Sequence, residues 1–131
     1  TISLKGLREV TNVNLSRNTF EGSLDISLFP NRLKIIDISH NHLSGSLDFS
    51  RLPPPIEKID FSYNRLNGSL NLSMIGDAFV IKTLRLNNNE FSGDALISVD
   101  VWKAENMDFR GNKLDNVFIR VEEFHCRDED G

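Results

Sequence analysis

The sequence predicts an α/β-type solenoid, mostly β, in which about five short strands stack into one parallel sheet. Two observations predict it. The string L-x-x-L-x-L-x-x-N-x-L fits residues 33–43, and four further copies lie on both sides of it. The asparagines of the five copies are Asn18, Asn41, Asn64, Asn89 and Asn112, so the steps are 23, 23, 25 and 23 residues. A fixed period of roughly 20 to 50 residues is typical of solenoids, in which each repeat buries its apolar face against its neighbours.

Each repeat begins with a short strand in which apolar and polar residues alternate. Ile36 and Ile38 are expected to point into the coil while Asp37 points outward, because successive side chains of a strand lie on opposite faces. The asparagine that follows is expected to be buried and to bond backbone groups of the turning chain, which cost about 1 to 3 kcal/mol each when unpaired. These asparagines are therefore predicted to be scaffold.

The return limb of each repeat also alternates, as at residues 24–27, 47–50 and 70–73. This period predicts a second short strand rather than a helix. Pro53, Pro54 and Pro55 disfavour a helix on that limb, so extended or 3₁₀ backbone is expected there.

Length and composition place the chain as one domain over residues 1–131. We expect an N-terminal cover or partial repeat at 1–9, repeats at 10–116, and a C-terminal cover and tail at 117–131. The cover would use Val117, Phe118, Ile119, Val121 and Phe124.

Net charge, hydropathy and cysteine content limit the classes of partner and compartment. The net charge of −4, with scattered Lys and Arg, disfavours nucleic acid, which requires a concentrated cationic face. No apolar run approaches the roughly 20 residues of a membrane span. The lone Cys126 cannot form an internal disulfide, which favours a reducing compartment, although the chain, which starts at Thr1, looks cut from something longer. The compartment, cell surface or cytoplasm, therefore stays open, as does the oligomeric state.

The segment from Leu43 to Pro53, L-x-G-S-L-D-x-S-x-L-P, carries a family resemblance. Across residues 7–118 the sequence resembles the leucine-rich repeat superfamily, and its 23-residue repeats are similar to the plant type. Asp or Asn replaces the proline of the plant consensus, and this GSLD variant resembles repeat proteins of unicellular eukaryotes such as kinetoplastids. The resemblance implies a right-handed arc with the parallel sheet on its concave face and a thin convex limb. It also implies a protein-binding module, commonly part of a longer receptor-like or surface protein.

The outward strand positions form columns across the predicted sheet, and these supply the candidate binding site. The predicted partner-binding residues are Asp37, His40, Lys58, Asp60, Tyr63, Arg85, Asn87, Asp108 and Arg110. Arg85 lies between Asp60 and Asp108 in the central column and can pair with either, which leaves Asp37 beside Asp60 as the least neutralised pair. We therefore expect a protein or peptide partner, with basic character at this point.

Enzymatic alternatives are disfavoured. Asp37 and Asp60 are expected on an open, shallow sheet that does not exclude water, so general acid catalysis by either carboxyl group is disfavoured. The three histidines have no metal-ligand spacing, so no metal or cofactor is expected. Two other classes stay open: a structural spacer or surface-coat repeat, and a regulatory domain of a larger enzyme.

Three N-x-S sequons occur at Asn14, Asn67 and Asn71. Because the repeat itself generates such strings, chance is the favoured interpretation, and whether they carry glycans stays open.

Overall fold

The computed structural model describes residues 2–76 and 78–121. In chain order the elements are β1 (Asn12–Asn14), β2 (Glu21–Gly22), a 3₁₀ turn (Ile26–Leu28), β3 (Ile35–Asp37), β4 (His42–Gly45), a second 3₁₀ turn (Phe49–Arg51), β5 (Lys58–Asp60), β6 (Arg65–Gly68), β7 (Asn71–Leu72), β8 (Thr83–Arg85), β9 (Glu90–Ser98), α1 (Val99–Trp102), β10 (Asn106–Asp108) and β11 (Lys113–Arg120). The solenoid of about five turns predicted from the sequence is confirmed.

The five-stranded sheet has the order β1-β3-β5-β8-β10, and all its pairs are parallel. Its register aligns the middle residue of every strand, and four of the five middle side chains are buried: Val13, Ile36, Ile59 and Leu84. The fifth, Met107, is partly buried against the same core. The predicted inward and outward alternation is therefore correct for these strands.

A second sheet runs along the other side of the turns. Its order is β11-β9-β6-β4-β2, again parallel, with the short β7 paired to β9. β4 and β6 begin directly after Asn41 and Asn64, and β2 begins three residues after Asn18. All three strands therefore start earlier than the limb segments 24–27, 47–50 and 70–73 suggested.

The first two limb segments contain 3₁₀ turns and not the short strands that their alternation predicted. The expectation of extended or 3₁₀ backbone on this limb is correct. Asp25 and Asp48 cap the two 3₁₀ turns, because each aspartate carboxylate accepts the backbone N–H two residues later. In the third limb segment the extended strand β7 occupies residues 71 and 72.

An asparagine ladder holds adjacent turns together. The Nδ2 of Asn64 donates to Ile38 O at 2.9 Å, Phe61 O at 3.2 Å and Ser62 O at 3.3 Å, and its Oδ1 accepts from Leu43 N at 2.9 Å. Asn41, Asn89 and Asn112 repeat the arrangement one turn apart. Each of these amides thus spans two turns, which agrees with the scaffold role expected from the sequence. The expected burial is wrong for Asn18, which is exposed and bonds Leu15 O and Ser16 O of its own turn.

The core runs the length of the solenoid and is almost entirely aliphatic and phenylalanine. Leu33, Leu66, Leu86 and Phe91 are fully buried, and Phe29 meets Phe61 edge to face at 6.5 Å between ring centroids. In the longer fourth repeat, Phe79 packs partly buried against this core.

The two ends of the described chain differ. Leu4 is buried and Ile2 bridges to Leu24, so the N-terminal segment lies against the first turn. At the other end, β11 pairs with β9 along its length, yet Val117, Phe118 and Ile119 stay exposed on it, as does Val121 just after it. Phe124 of the expected cover lies outside the described residues.

Candidate functional site

The central column of outward residues is in the predicted register. Asn14 aligns with Asp37, Asp37 with Asp60, Asp60 with Arg85 and Arg85 with Asp108 on successive parallel strands. Neighbouring strands of a sheet lie about 4.8 Å apart, so Asp37 and Asp60 are immediate neighbours.

Both carboxylates are oriented by the serine two residues later. Asp37 Oδ1 accepts from the backbone N–H of Ser39 at 2.9 Å and from its hydroxyl at 2.6 Å. Asp60 accepts from Ser62 in the same way, at 3.0 and 2.6 Å. Ser39 and Ser62 are themselves only 5% and 2% exposed, with their hydroxyls turned back to the carboxylates. The result is two half-buried, fixed carboxylates, neither of which forms an ion pair within the described residues.

Asp108 is neutralised by Arg110 of its own repeat and not by an ion pair with Arg85. Arg110 Nε donates to Asp108 Oδ1 at 3.0 Å and Nη2 donates to Oδ2 at 2.8 Å, a bidentate pair. The hydrogen bond from Arg110 is the main cause that lowers the pKa of Asp108, and the charge of Arg85 adds to it. The same hydrogen bond raises the pKa of Arg110. Arg85, expected to pair with Asp60 or Asp108, is exposed and makes no ion pair with a described residue.

Asn87 is not on the exposed surface, so the prediction that placed it in an outward column is wrong. It is 3% exposed, and its Nδ2 donates to Asn88 Oδ1 at 3.0 Å. Its buried Oδ1 has no hydrogen-bond partner among the described residues. The cause is local: the fourth repeat has Arg85 and Asn87 where the two before it have aspartate and serine, so the usual carboxylate acceptor is missing.

The column at the edge of the site has an unusual backbone. Arg17, His40, Tyr63 and Asn88 all have left-handed backbones, with φ values of 58°, 56°, 57° and 59°. A side chain in this conformation costs about 1 to 2 kcal/mol relative to ordinary backbone. Gly111 occupies the equivalent place in the fifth repeat, with a φ of 74°. This glycine was the one sign in the sequence of a left-handed backbone at this column, and the sequence analysis missed it.

The two rings of that edge column stack on each other. The ring centroids of His40 and Tyr63 are 4.4 Å apart, and the ring planes differ by 11°. Tyr63 remains 46% exposed while His40 is half-buried. Lys58 is exposed on the same strand as Asp60 and forms no ion pair within the described part of the chain. We name Asp37, Asp60, His40 and Tyr63 the acidic–aromatic patch.

Residues 2–76 and 78–121 contain no group of three or more His, Cys, Asp or Glu that could hold a metal ion. Over the same residues, no helix is long and apolar enough to cross a membrane. Cys126 and His125 lie outside the described residues.

Comparison with known proteins agrees with the geometry. The family model described as Leucine Rich Repeat matches residues 32–52. No curated protein matches the sequence at a significant level.

Two solved structures are similar along most of the chain. The LRR ectodomain of the receptor kinase SOBIR1 from Arabidopsis thaliana is similar with a TM-score of 0.66 and 27% identity, covering 84% of this chain and 61% of that one. A chain of the BIR3–SERK2 complex, also from Arabidopsis thaliana, is similar with a TM-score of 0.55 and 27% identity, covering 71% and 52%. The chain therefore spans less than two thirds of the length of either neighbour. Five copies of the signature and five stacked turns thus agree with the leucine-rich repeat model that matches residues 32–52, and the fold is similar to that of the two Arabidopsis thaliana structures.

Proposed function

We propose that the chain is a non-enzymatic module that binds a protein or peptide segment through the outward face of its five-stranded sheet. This is the concave face of the arc that the family resemblance implies. The observation that carries the proposal is the pair of adjacent carboxylates, Asp37 and Asp60, fixed by serines and lacking a countercharge. Two such charges about 5 Å apart repel by about 1 kcal/mol in water, and a basic side chain between them relieves this repulsion.

The stacked rings supply the apolar part of the surface. Tyrosine is favoured as an interface anchor because it offers a large contact area with few rotatable bonds. Tyr63 is already ordered by its stack on His40, so binding against it loses little side-chain freedom.

Arg85 gives the bound segment a direction. It lies in register beside Asp60 and has no ion-pair partner among described residues. A segment with a basic side chain over Asp37 and Asp60 and an acidic side chain over Arg85 would match all three charges. The partner class is therefore a protein or peptide with adjacent basic and acidic residues.

The structural neighbours support a receptor-like context. One is the ectodomain of a receptor kinase and the other belongs to a complex of two proteins. We infer that this chain is likewise a recognition part of a longer protein; the kinetoplastid resemblance stays a prediction about its origin.

The test is a peptide selection with charge-matched variants. A random peptide library is panned on the wild-type chain, and the selected peptides are measured against Asp37→Asn/Asp60→Asn. Asparagine keeps the acceptor for the serine, as Asn14 does for Ser16 at 3.0 and 2.7 Å. Because each change also creates an N-x-S sequon, all variants are produced in bacteria without N-glycosylation, where only the charge is lost. The control is Asp25→Asn/Asp48→Asn, which removes two charges from equivalent turns on the limb.

We expect selected peptides to be rich in Lys and Arg, to bind less tightly at high salt, and to lose affinity for the first variant only. Peptides that bind all three proteins equally would refute the proposed face. A selection that yields no saturable peptide would favour the structural spacer instead.

A further inference from the structure

Asn71 lies in a sequon on the limb side of the solenoid, away from the five-stranded sheet. Its Oδ1 accepts from the backbone N–H of Ser73 at 3.0 Å and from its hydroxyl at 2.6 Å. Asp25 and Asp48 form the same two bonds in the preceding turns, to Ser27 and Ser50. The turn therefore needs only an acceptor at this position, and aspartate provides one.

What asparagine adds at position 71 is an amide nitrogen with no structural use. The Nδ2 of Asn71 donates to no described residue, and the side chain is exposed. The ladder asparagines are the opposite case: Asn41, Asn64 and Asn89 each donate Nδ2 to three backbone carbonyls. None of the ladder asparagines is in a sequon.

The surface beside Asn71 is apolar, which is a second and independent observation. Asn71 aligns with Leu96 on β9, and Leu96 aligns with Phe118 on β11, so the three side chains share one face of the sheet. Leu96 is 41% exposed and Phe118 is 51% exposed, whereas Leu72 and Ile97 on the opposite face are fully buried. An exposed apolar row that starts at a free amide is a surface that an attached sugar would cover.

We propose that Asn71 is an N-glycan acceptor, and that the glycan covers Leu96 and Phe118. The sugar donor is an oligosaccharide linked to a lipid diphosphate, and a glycosyltransferase of the cell that makes the protein catalyses the transfer. Nδ2 forms a bond to C1 of the first sugar while the C1–O bond to the diphosphate breaks. One amide proton is lost, and the lipid diphosphate leaves. The apolar face of the sugar rings then packs on the row.

The assignment separates Asn71 from the other sequons. Asn14 has the same turn geometry, but its neighbour in register is Asp37, and a glycan there would crowd the acidic–aromatic patch. Asn67 is exposed, without a serine-bonded turn. The proposal is independent of what the five-stranded sheet binds, and it implies that the chain passes through the secretory pathway.

The experiment expresses the chain behind a signal sequence in eukaryotic cells and measures intact mass before and after peptide-N-glycosidase. Asn71→Asp is the variant that loses the acceptor amide. Its turn should be retained, because the natural aspartates at positions 25 and 48 form the same two bonds to the serine two residues later. Ser73→Thr is the matched control, since it keeps the sequon. We expect one glycan fewer on Asn71→Asp, unchanged occupancy on Ser73→Thr, and conversion of residue 71 to aspartate on enzymatic release from the wild type.

The covering role has its own readout. An apolar fluorescent dye should bind more to Asn71→Asp than to the wild type, and this difference should vanish when both carry Leu96→Gln and Phe118→Gln, which remove the apolar row without creating a sequon. A secreted wild-type chain whose Asn71 peptide carries no glycan would overturn the assignment. A glycan whose loss leaves dye binding unchanged would overturn the covering role.

Discussion

Replacing Asn64 by alanine tests the ladder most directly. The variant loses the acceptor for the buried Leu43 N–H and the donors to three carbonyl oxygens. Each of these carbonyls keeps a second partner: Ile38 O accepts from Asn41, Phe61 O from Asn89 and Ser62 O from the N–H of His40. Only one group is orphaned completely.

The magnitude follows from that count. One orphaned buried donor costs about 1 to 3 kcal/mol, and the shared bonds to carbonyls add a fraction of their usual net value of about 1 kcal/mol each. We therefore expect Asn64→Ala to lower the free energy of unfolding by about 2 to 4 kcal/mol.

The control is Asn18→Ala. Asn18 is exposed and makes only two bonds, to Leu15 O at 3.0 Å and Ser16 O at 3.1 Å, with its Oδ1 unused by the described residues. Its loss should cost less than about 1 kcal/mol. Urea denaturation followed by circular dichroism measures both variants, with unchanged m-values required. Equal losses for Asn18→Ala and Asn64→Ala would refute the orphaned-donor argument.

Three further outcomes follow from the backbone and the charges. Gly45→Ala should cost about 1 to 2 kcal/mol because its φ is 89°. Gly68→Ala should cost about 1 kcal/mol more, since its new Cβ would lie 2.9 Å from a serine Cβ, and thermal melting compares the two. Tyr63→Gly should be about 1 kcal/mol more stable than Tyr63→Ala, because both lose the ring stack but only glycine relieves the φ of 57°; equal stabilities would mean that the strain is absent. The lowered pKa of Asp108 gives stability that is present above the usual value of 3.8 and is lost as the pH falls through its folded value, so the stability advantage of the wild type over Asp108→Asn should shrink below pH 3.8 in denaturation at graded pH.

Periodicity predicted the parts of the fold that repeat. The spacing of the asparagines located all five strands of the first sheet, because a buried amide tolerates little variation in its distance from the backbone groups that it bonds. Periodicity did not predict hydrogen bonds between side chains two residues apart within one repeat. Nothing in the alternation of Asp37 and Ser39 indicates that the serine hydroxyl turns back and buries itself, and the neutralisation of Asp108 by Arg110 is equally local.

The candidate site was predicted as a set of positions but not as a geometry. Sequence register correctly placed Asp60 between Asp37 and Arg85. It could not reveal the left-handed backbone that stacks His40 on Tyr63, since only Gly111 in the last copy hints at it. Asn87 was misplaced because its repeat has Arg85 and Asn87 in place of the aspartate and serine pair. The repeat pattern predicts only what the copies share, so it does not predict the structure at a position where one copy differs.

The asparagine ladder gives the solenoid a direction of growth. The N–H groups of Phe20, Leu43, Leu66 and Phe91 each find their acceptor in the asparagine of the following turn. A turn is thus completed by its successor and never by itself. During synthesis from the N-terminus, a turn would therefore gain this buried hydrogen bond only once the following repeat is available. Insertion or deletion of whole repeats preserves these hydrogen bonds between successive turns. A deletion inside a repeat that removes the asparagine leaves the N–H of the preceding turn without its acceptor.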